Sequence, residues 1–245
     1  MSNNNTQQDE VFKQPQKAAD FKFGQTVVSV FDDMVTRSVP FYLEIQRMMT
    51  EIAQDFAAPG TKVYDLGCST GTTLINLDKV ISPDVSFVGV DESAEMLKKC
   101  RTNFENSGVK RAFDLQRVDL NQGVQMENPS VVVMCLTLQF IRPLYREKLL
   151  KEIYQQMNEN SCFILIEKVL GEDSLFNRLF IEYYYDFKRR NHYDDMEIAQ
   201  KREALENVLI PYKLLENREL LLNTGFRYVE TFFKWYNFSG MVAVK

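Results

Sequence analysis

Residues 131–136 read Val-Val-Val-Met-Cys-Leu, a run with no polar side chain to turn toward water. A strand of that composition has to be covered on both faces, as in a parallel sheet flanked by helices. The neighbouring sequence repeats the unit. Lys62-Val-Tyr-Asp-Leu66 predicts a short buried strand ending at Gly67, and Val85–Val90, Phe113–Val118 and Cys162–Ile166 predict three more. Between them apolar residues recur at spacings of three and four: Thr72 to Val80, residues 93–105 with Ser93 placed to cap, and Pro143 to Met157. Strand and helix in alternation imply a doubly wound α/β sheet, and 245 residues suit one such domain with an insertion.

The flanks depart from this rhythm. Two helices are predicted within residues 26–57, from Val27 to Val35 and from Phe41 to Phe56, with Pro40 placed to open the second. Residues 1–20, rich in Asn and Gln and without a period, read as a frayed, flexible tail before a single domain over 21–245. Residues 173–209 carry no strand signal but two helical stretches, Leu175–Arg190 and Asp194–Leu209, dense in charge and aromatics. Such a helical insertion covers the sheet, forms a lid, or meets another chain. A helix over Leu214–Asn223 leads to Phe226–Phe233 and Ser239–Val244, which pair as an antiparallel hairpin.

Composition narrows the chemistry. A net charge of -5 argues against direct binding to nucleic acid through a general basic surface. No apolar run approaches the roughly 20 residues that span a bilayer. The polar start Met1-Ser-Asn-Asn-Asn-Thr lacks a signal peptide's apolar core, so a cytoplasmic protein off the membrane is expected. Cys68, Cys100, Cys135 and Cys162 show no CxxC spacing, and His192 is the single histidine, so no metal site is expected. Carboxylates, arginines, tyrosines, backbone groups or a bound cosubstrate are left to do the chemistry.

Val63-Tyr-Asp-Leu-Gly-Cys-Ser-Thr-Gly71 forms the first strand-to-helix turn. Gly67 permits a tight turn, and Gly71 opens the next helix without a side chain in the way. The pattern Asp-x-Gly-x-x-x-Gly is short of the dinucleotide GxGxxG, since Ser69 holds the middle glycine's place. Asp91 ends the second strand, 24 residues beyond Gly67, where an acid binds ribose hydroxyls. Asp119, followed by Leu120, ends the third, where a carboxylate can accept a hydrogen bond from an adenine amino group. A glycine turn and acceptors at three successive strand ends resemble the Rossmann-like class I S-adenosylmethionine-dependent methyltransferase fold. That resemblance implies a mostly parallel seven-stranded sheet closed by a terminal antiparallel hairpin.

Phe31-Asp-Asp-Met-Val-Thr-Arg-Ser-Val-Pro-Phe-Tyr42, Leu136-Thr-Leu-Gln-Phe140, Asp186-Phe-Lys-Arg189 and Glu197-Ile-Ala-Gln-Lys-Arg-Glu-Ala-Leu-Glu-Asn-Val208 resemble the carboxy-S-adenosyl-L-methionine synthase family, from about residue 20 to the end of the chain. The resemblance implies an enzyme that converts S-adenosyl-L-methionine and prephenate into carboxy-S-adenosyl-L-methionine and phenylpyruvate. It also implies that the product is consumed by a downstream tRNA carboxymethyltransferase in wobble-uridine modification. By the same resemblance Tyr42, Gly67, Cys68, Ser69, Asp91, Glu92, Asp119, Leu120, Cys135 and Arg202 contact the ligand. The resemblance further implies a homodimer, with Arg202 reaching the neighbouring subunit's pocket. Cys135 stands where the family has asparagine, and a thiol cannot reproduce an amide's paired hydrogen bonds; Glu92 also replaces a frequent asparagine. In the implied reaction the carbon next to the sulfonium loses a proton and takes up carbon dioxide released by prephenate. The protein supplies positioning, dryness and cations for carboxylates, for which Arg37 and Arg202 are the catalytic candidates. The same residues suit a conventional methyltransferase acting on a small acid, or a non-catalytic S-adenosylmethionine-binding protein. The missing middle glycine and the absence of a catalytic histidine disfavour a nicotinamide-dependent dehydrogenase.

Overall fold

The computed structural model describes residues 8–17 and 19–245. Seven strands form one sheet: β1 (Lys62–Leu66), β2 (Ser86–Asp91), β3 (Phe113–Arg117), β4 (Pro129–Cys135), β5 (Cys162–Lys168), β6 (Tyr228–Trp235) and β7 (Phe238–Val244). Their order is β3-β2-β1-β4-β5-β7-β6. The first five run parallel, and β7 lies antiparallel between β5 and β6. The mostly parallel sheet with a terminal hairpin is the one expected.

The β4 run explains itself in this setting. Val132 lies between Tyr64 of β1 and Phe163 of β5, and Val131 through Met134 are fully buried. Side chains alternate between two helical layers. Tyr64, Val132 and Phe163 face Leu149 and Ile153 of α5 (Pro143–Gln156) and Leu221 of α8 (Leu214–Thr224). Val63, Val131 and Cys162 face the other layer, built from α2 (Tyr42–Phe56), α3 (Thr72–Asp78) and α4 (Ala94–Ser107). Each large aliphatic side chain so buried contributes roughly 1.5–3 kcal/mol. Two further helices, α6 (Ser174–Arg190) and α7 (Asp195–Leu205), form the insertion, and α1 (Gln25–Ser38) packs against α4 and α6. No described helix is long and apolar enough to cross a membrane.

Local signals mostly hold. Ser93 caps α4 by accepting from the Met96 N–H, and Pro143 occupies the first turn of α5. Pro40 does not open α2; the cap is Phe41, left-handed at φ 55°, so the proline stands ahead of the helix. The second insertion helix stops at Leu205 rather than Leu209. Past Leu205 the helix loosens into turns whose bonds span three residues, Glu206 N–H to the Glu203 carbonyl and Val208 N–H to the Leu205 carbonyl.

The expectation of a loose tail over 1–20 fails where the structure describes it; residues 1–7 and Ala18 lie outside the described residues. Asp9 is only 2% exposed: its carboxylate accepts from the Tyr193 hydroxyl at 2.6 Å and pairs with the Lys201 ammonium at 3.6 Å. The Gln200 amide donates to the Phe12 carbonyl at 2.8 Å. This segment has no hydrophobic period because side-chain bonds to α7, rather than a buried stripe, hold it.

Candidate active site

Strand order reverses between β1 and β4, and beyond their carboxyl ends opens a cavity of about 460 Å³. The turn after β1 forms its floor. Gly67 and Gly71 take φ of +88° and +86°, with Ser69 left-handed between them. The Gly67 and Cys68 N–H groups donate to the Val90 carbonyl at 2.7 and 2.9 Å, stitching the turn to β2. A Cβ at position 67 would sit 2.2 Å from Thr137 Oγ1, so glycine is required there on both conformational and steric grounds. The Thr70 hydroxyl ties the turn to α1 by donating to Asp32 Oδ1 at 2.6 Å.

Asp91 completes this turn. Its Oδ2 accepts from the Ser69 N–H and its Oδ1 from the Ser93 N–H, both at 2.9 Å. Burial raises its carboxyl above the ordinary value, and those two N–H groups oppose the rise. Asp119 ends the loop after β3, where Oδ1 accepts from the Asn121 side chain at 2.8 Å and backbone at 2.9 Å; the Asn121 amide holds its carboxyl low. Leu120 and Cys68 are buried in the wall, whereas Glu92 is exposed at the rim. Tyr42, whose phenol burial pushes up, opens α2, and Cys135, whose thiol burial likewise pushes up, ends β4. All ten residues expected at the ligand line this one cavity. Arg202, expected to reach a neighbouring subunit's pocket, lines the cavity of its own chain from α7 and is exposed there.

Arg37 is the exception and corrects the expectation of a second carboxylate-binding arginine. It does not line the cavity. Its Nε donates to the Asn191 carbonyl, Nη2 to the His192 carbonyl, and Nη1 to the Asp9 carbonyl and Asp33 carboxylate, at 2.9–3.2 Å. Four of five N–H donors are thus spent on protein, and the guanidinium stacks on the Tyr193 ring at 4.0 Å. Arg37 fastens α1 to the turn between α6 and α7.

Sequence reasoning gave no role to several groups that the fold brings here. Asp65, inside the quoted turn motif, is buried beneath it with Oδ1 unpartnered; burial and the Asp91 charge push its carboxyl up to about 7. Lys168, Lys188 and Lys201 line the cavity from β5, α6 and α7. Burial lowers Lys168 and Lys201 to about 8 and takes Lys188 well below its ordinary value. Strand-end position is a usable signal for Lys168, which closes β5 as Asp91 closes β2. Arg146 is nearly fully buried in α5 and donates to the carbonyls of Gln139, Ile141 and Ile210. It thereby fixes the 3₁₀ turn Leu138–Phe140, part of which walls the cavity.

These groups fit S-adenosylmethionine. Asp91 suits ribose hydroxyls, Asp119 and apolar Leu120 suit adenine, and the glycine turn admits close backbone approach. Comparison with known proteins agrees. The methyltransferase domain family matches residues 63–160. Among solved structures, the YcgJ protein of Bacillus subtilis superposes with a TM-score of 0.60 at 15% identity, covering 79% of this chain and 72% of that one. The S-adenosylmethionine-dependent methyltransferase SibL gives 0.63 at 11%, covering 94% and 63%. These likenesses show the class I methyltransferase fold. A carboxy-S-adenosyl-L-methionine synthase of Methylococcus capsulatus is 61% identical over 239 residues, covering 97% of this chain and 99% of its relative. The synthase of Desulfotalea psychrophila is 43% identical, covering 97% of each. With that identity along nearly its whole length, the chain belongs to the carboxy-S-adenosyl-L-methionine synthase family.

Proposed function

We propose that this chain makes carboxy-S-adenosyl-L-methionine from S-adenosyl-L-methionine and prephenate, releasing phenylpyruvate and water. One observation carries the reading beyond family membership: the cavity joins an adenosine-binding end, marked by Asp91 and Asp119, to an end carrying Arg202 and three lysines. Three strand spacings, roughly 14 Å, separate the end of β2 from that of β5. The cavity therefore has room and charge for a second, carboxylate-bearing substrate.

When bound, the sulfonium acidifies its neighbouring carbon, so that carbon can surrender a proton to the hydroxide, and accept the carbon dioxide, that prephenate leaves behind as it aromatises. The protein's part is positional. Gly67, Cys68 and Asp91 fix one substrate against the sheet, while Tyr42, Cys135 and Phe140 line the cavity and help keep water from the reacting carbon. Arg202 stands ready for the carboxylate that the product gains, through a guanidinium's paired donors. In this reading two chains assemble as a homodimer, and the product passes to a tRNA carboxymethyltransferase.

The deciding experiment is mass spectrometry of the small molecule released from purified protein after incubation with S-adenosylmethionine and prephenate. A species heavier than S-adenosylmethionine by one carbon dioxide is expected. Recovery of only S-adenosylmethionine or S-adenosylhomocysteine would favour a conventional methyltransferase or a binding protein instead.

A further inference from the structure

Three lysine side chains meet at the β5 end of the cavity. Lys188 and Lys201 are 5% and 6% exposed. Lys168 Nζ lies 4.9 Å and Lys188 Nζ 4.7 Å from the centre of the Tyr184 ring, which they share. Lys201 Nζ donates to Ser38 Oγ at 3.0 Å, and the Tyr184 hydroxyl donates to the Ser38 carbonyl at 3.0 Å, so the three amines surround one small region. Ser38 and Tyr184 line the same cavity.

Their charge is not balanced by the protein. Asp9, 3.6 Å from Lys201, is the single carboxylate paired with any of them among the described residues. Glu197 of α7 also acts on Lys201, but its Oε2 accepts from the Asp194 N–H as part of a helix cap. Lys168 and Lys188 have neither a hydrogen-bond nor an ion-pair partner for Nζ among the described residues. Arg37, a nearby cation outside the cavity lining, is already engaged with Asp33. Holding an ammonium largely out of bulk water without a counterion is unfavourable. Perturbed, convergent groups in a cleft mark a place where a ligand supplies what is missing.

We propose that Lys168, Lys188 and Lys201 form the subsite for a small organic dicarboxylate, the second substrate, with Ser38 and Tyr184 as its polar and aromatic walls. This rests on the reading of the chain as a two-substrate synthase and assigns residues to the substrate that adenosine recognition leaves unaccounted for. It also gives the site a direction. Prephenate carries two carboxylates and phenylpyruvate one, so a subsite balanced by a dianion releases the product once the second charge has left.

The test is calorimetric titration of prephenate, and of succinate as a plain dicarboxylate, into the full chain saturated with S-adenosylhomocysteine, which lacks the methyl group and blocks turnover. Wild type is expected to bind prephenate at least tenfold more tightly than phenylpyruvate. Lys168→Met and Lys188→Met are expected to lose tenfold or more in prephenate affinity, with S-adenosylhomocysteine affinity within twofold. Their Tm should be unchanged or raised, because each removes a largely desolvated amine that has no carboxylate partner; Lys188→Arg should recover part of the loss. Prephenate binding that is equal in wild type and variants overturns the subsite and leaves the synthase reading standing. Variants that lose both ligands together, or fall in Tm, likewise overturn it in favour of a structural role. Lysine-dependent succinate binding without prephenate binding upholds the subsite and ends the prephenate reading. If wild type takes up neither dicarboxylate, both fall.

Discussion

Asp91 holds its own turn and faces the ligand at once, since each carboxylate oxygen accepts one backbone N–H and keeps a lone pair for a further donor. Asp91→Ala should therefore weaken S-adenosylmethionine by tenfold or more, as charge-assisted hydrogen bonds are worth about 1.5–3 kcal/mol. It should also lower Tm, because the Ser69 and Ser93 N–H groups lose their acceptor. Asp91→Asn retains one carbonyl acceptor and should sit between. Calorimetric titration of both variants decides; unchanged affinity in Asp91→Ala removes the residue from the site. Cys135 offers a complementary change, since it lines the cavity where relatives are expected to carry an amide. Cys135→Asn should preserve or tighten binding of carboxy-S-adenosylmethionine, and a clear loss of affinity with the fold intact would show that the position is used differently here. At this scale the acids were legible because each sits at the end of its own strand, a local fact. Arg37 misled because, beyond the one-turn pair with Asp33, its donors go to Asp9 and residues 191–192, 28 and more positions away, where no helix spacing reports them.

Elements divide along the same line. The sheet could be read because β1, β4 and β5 are short apolar runs bounded by turn residues, and two-sided burial leaves a run no alternative. The Asp9 segment and the lysine cluster could not be, because they depend on how α6, α7 and the first residues meet. That meeting has a pH consequence. Burial disfavours the ammonium forms of Lys168 and Lys201, which lose their protons as pH rises through about 8, whereas in the unfolded chain they would keep them to higher pH. The groups around them are Lys188, Asp9, Arg37, Glu197, Tyr184 and Tyr193, and a bound dicarboxylate would outweigh the single paired carboxylate of Asp9. Dicarboxylate binding at pH 8 should consequently take up protons. Its affinity should fall as pH goes from 7 to 9, the direction in which the cations disappear. Calorimetry in two buffers of different ionisation enthalpy measures the uptake; Lys168→Met should reduce it, and uptake identical in wild type and variant counts against the cluster as the source.

For the whole molecule, the insertion presents an outer surface as well as an inner one. Leu175, Phe176 and Tyr183 of α6 are exposed beside Tyr236 at the tip of the β6–β7 hairpin. Phe180 sits tilted between Phe176 and Tyr236, with ring centres 6.0 and 5.3 Å away, and Tyr183 lies 4.9 Å from Tyr236. Aromatic side chains clustered in this way are what the buried centre of a protein interface is made of, and one partner's share of a stable interface is roughly 800 Å². The homodimer proposed above is therefore expected to use this face. Wild type should run in solution at twice the single-chain mass of 28.6 kDa, and Phe176→Glu combined with Tyr236→Glu should return it to one chain. Light scattering on the eluting peak reads both, and a wild type found only at 28.6 kDa ends the proposal. Function should follow in a set order. The adenosine end is braced from α1 by the bond of Thr70 to Asp32 and from α4 by the bond of Asn103 to the Thr70 carbonyl, neither of which involves an α6 residue. Lys188 and Lys201, by contrast, ride on α6 and α7 themselves. Separating the chains should thus weaken the dicarboxylate severalfold before S-adenosylmethionine affinity changes, and a loss of both in step would mean that the interface supports the whole fold rather than the insertion.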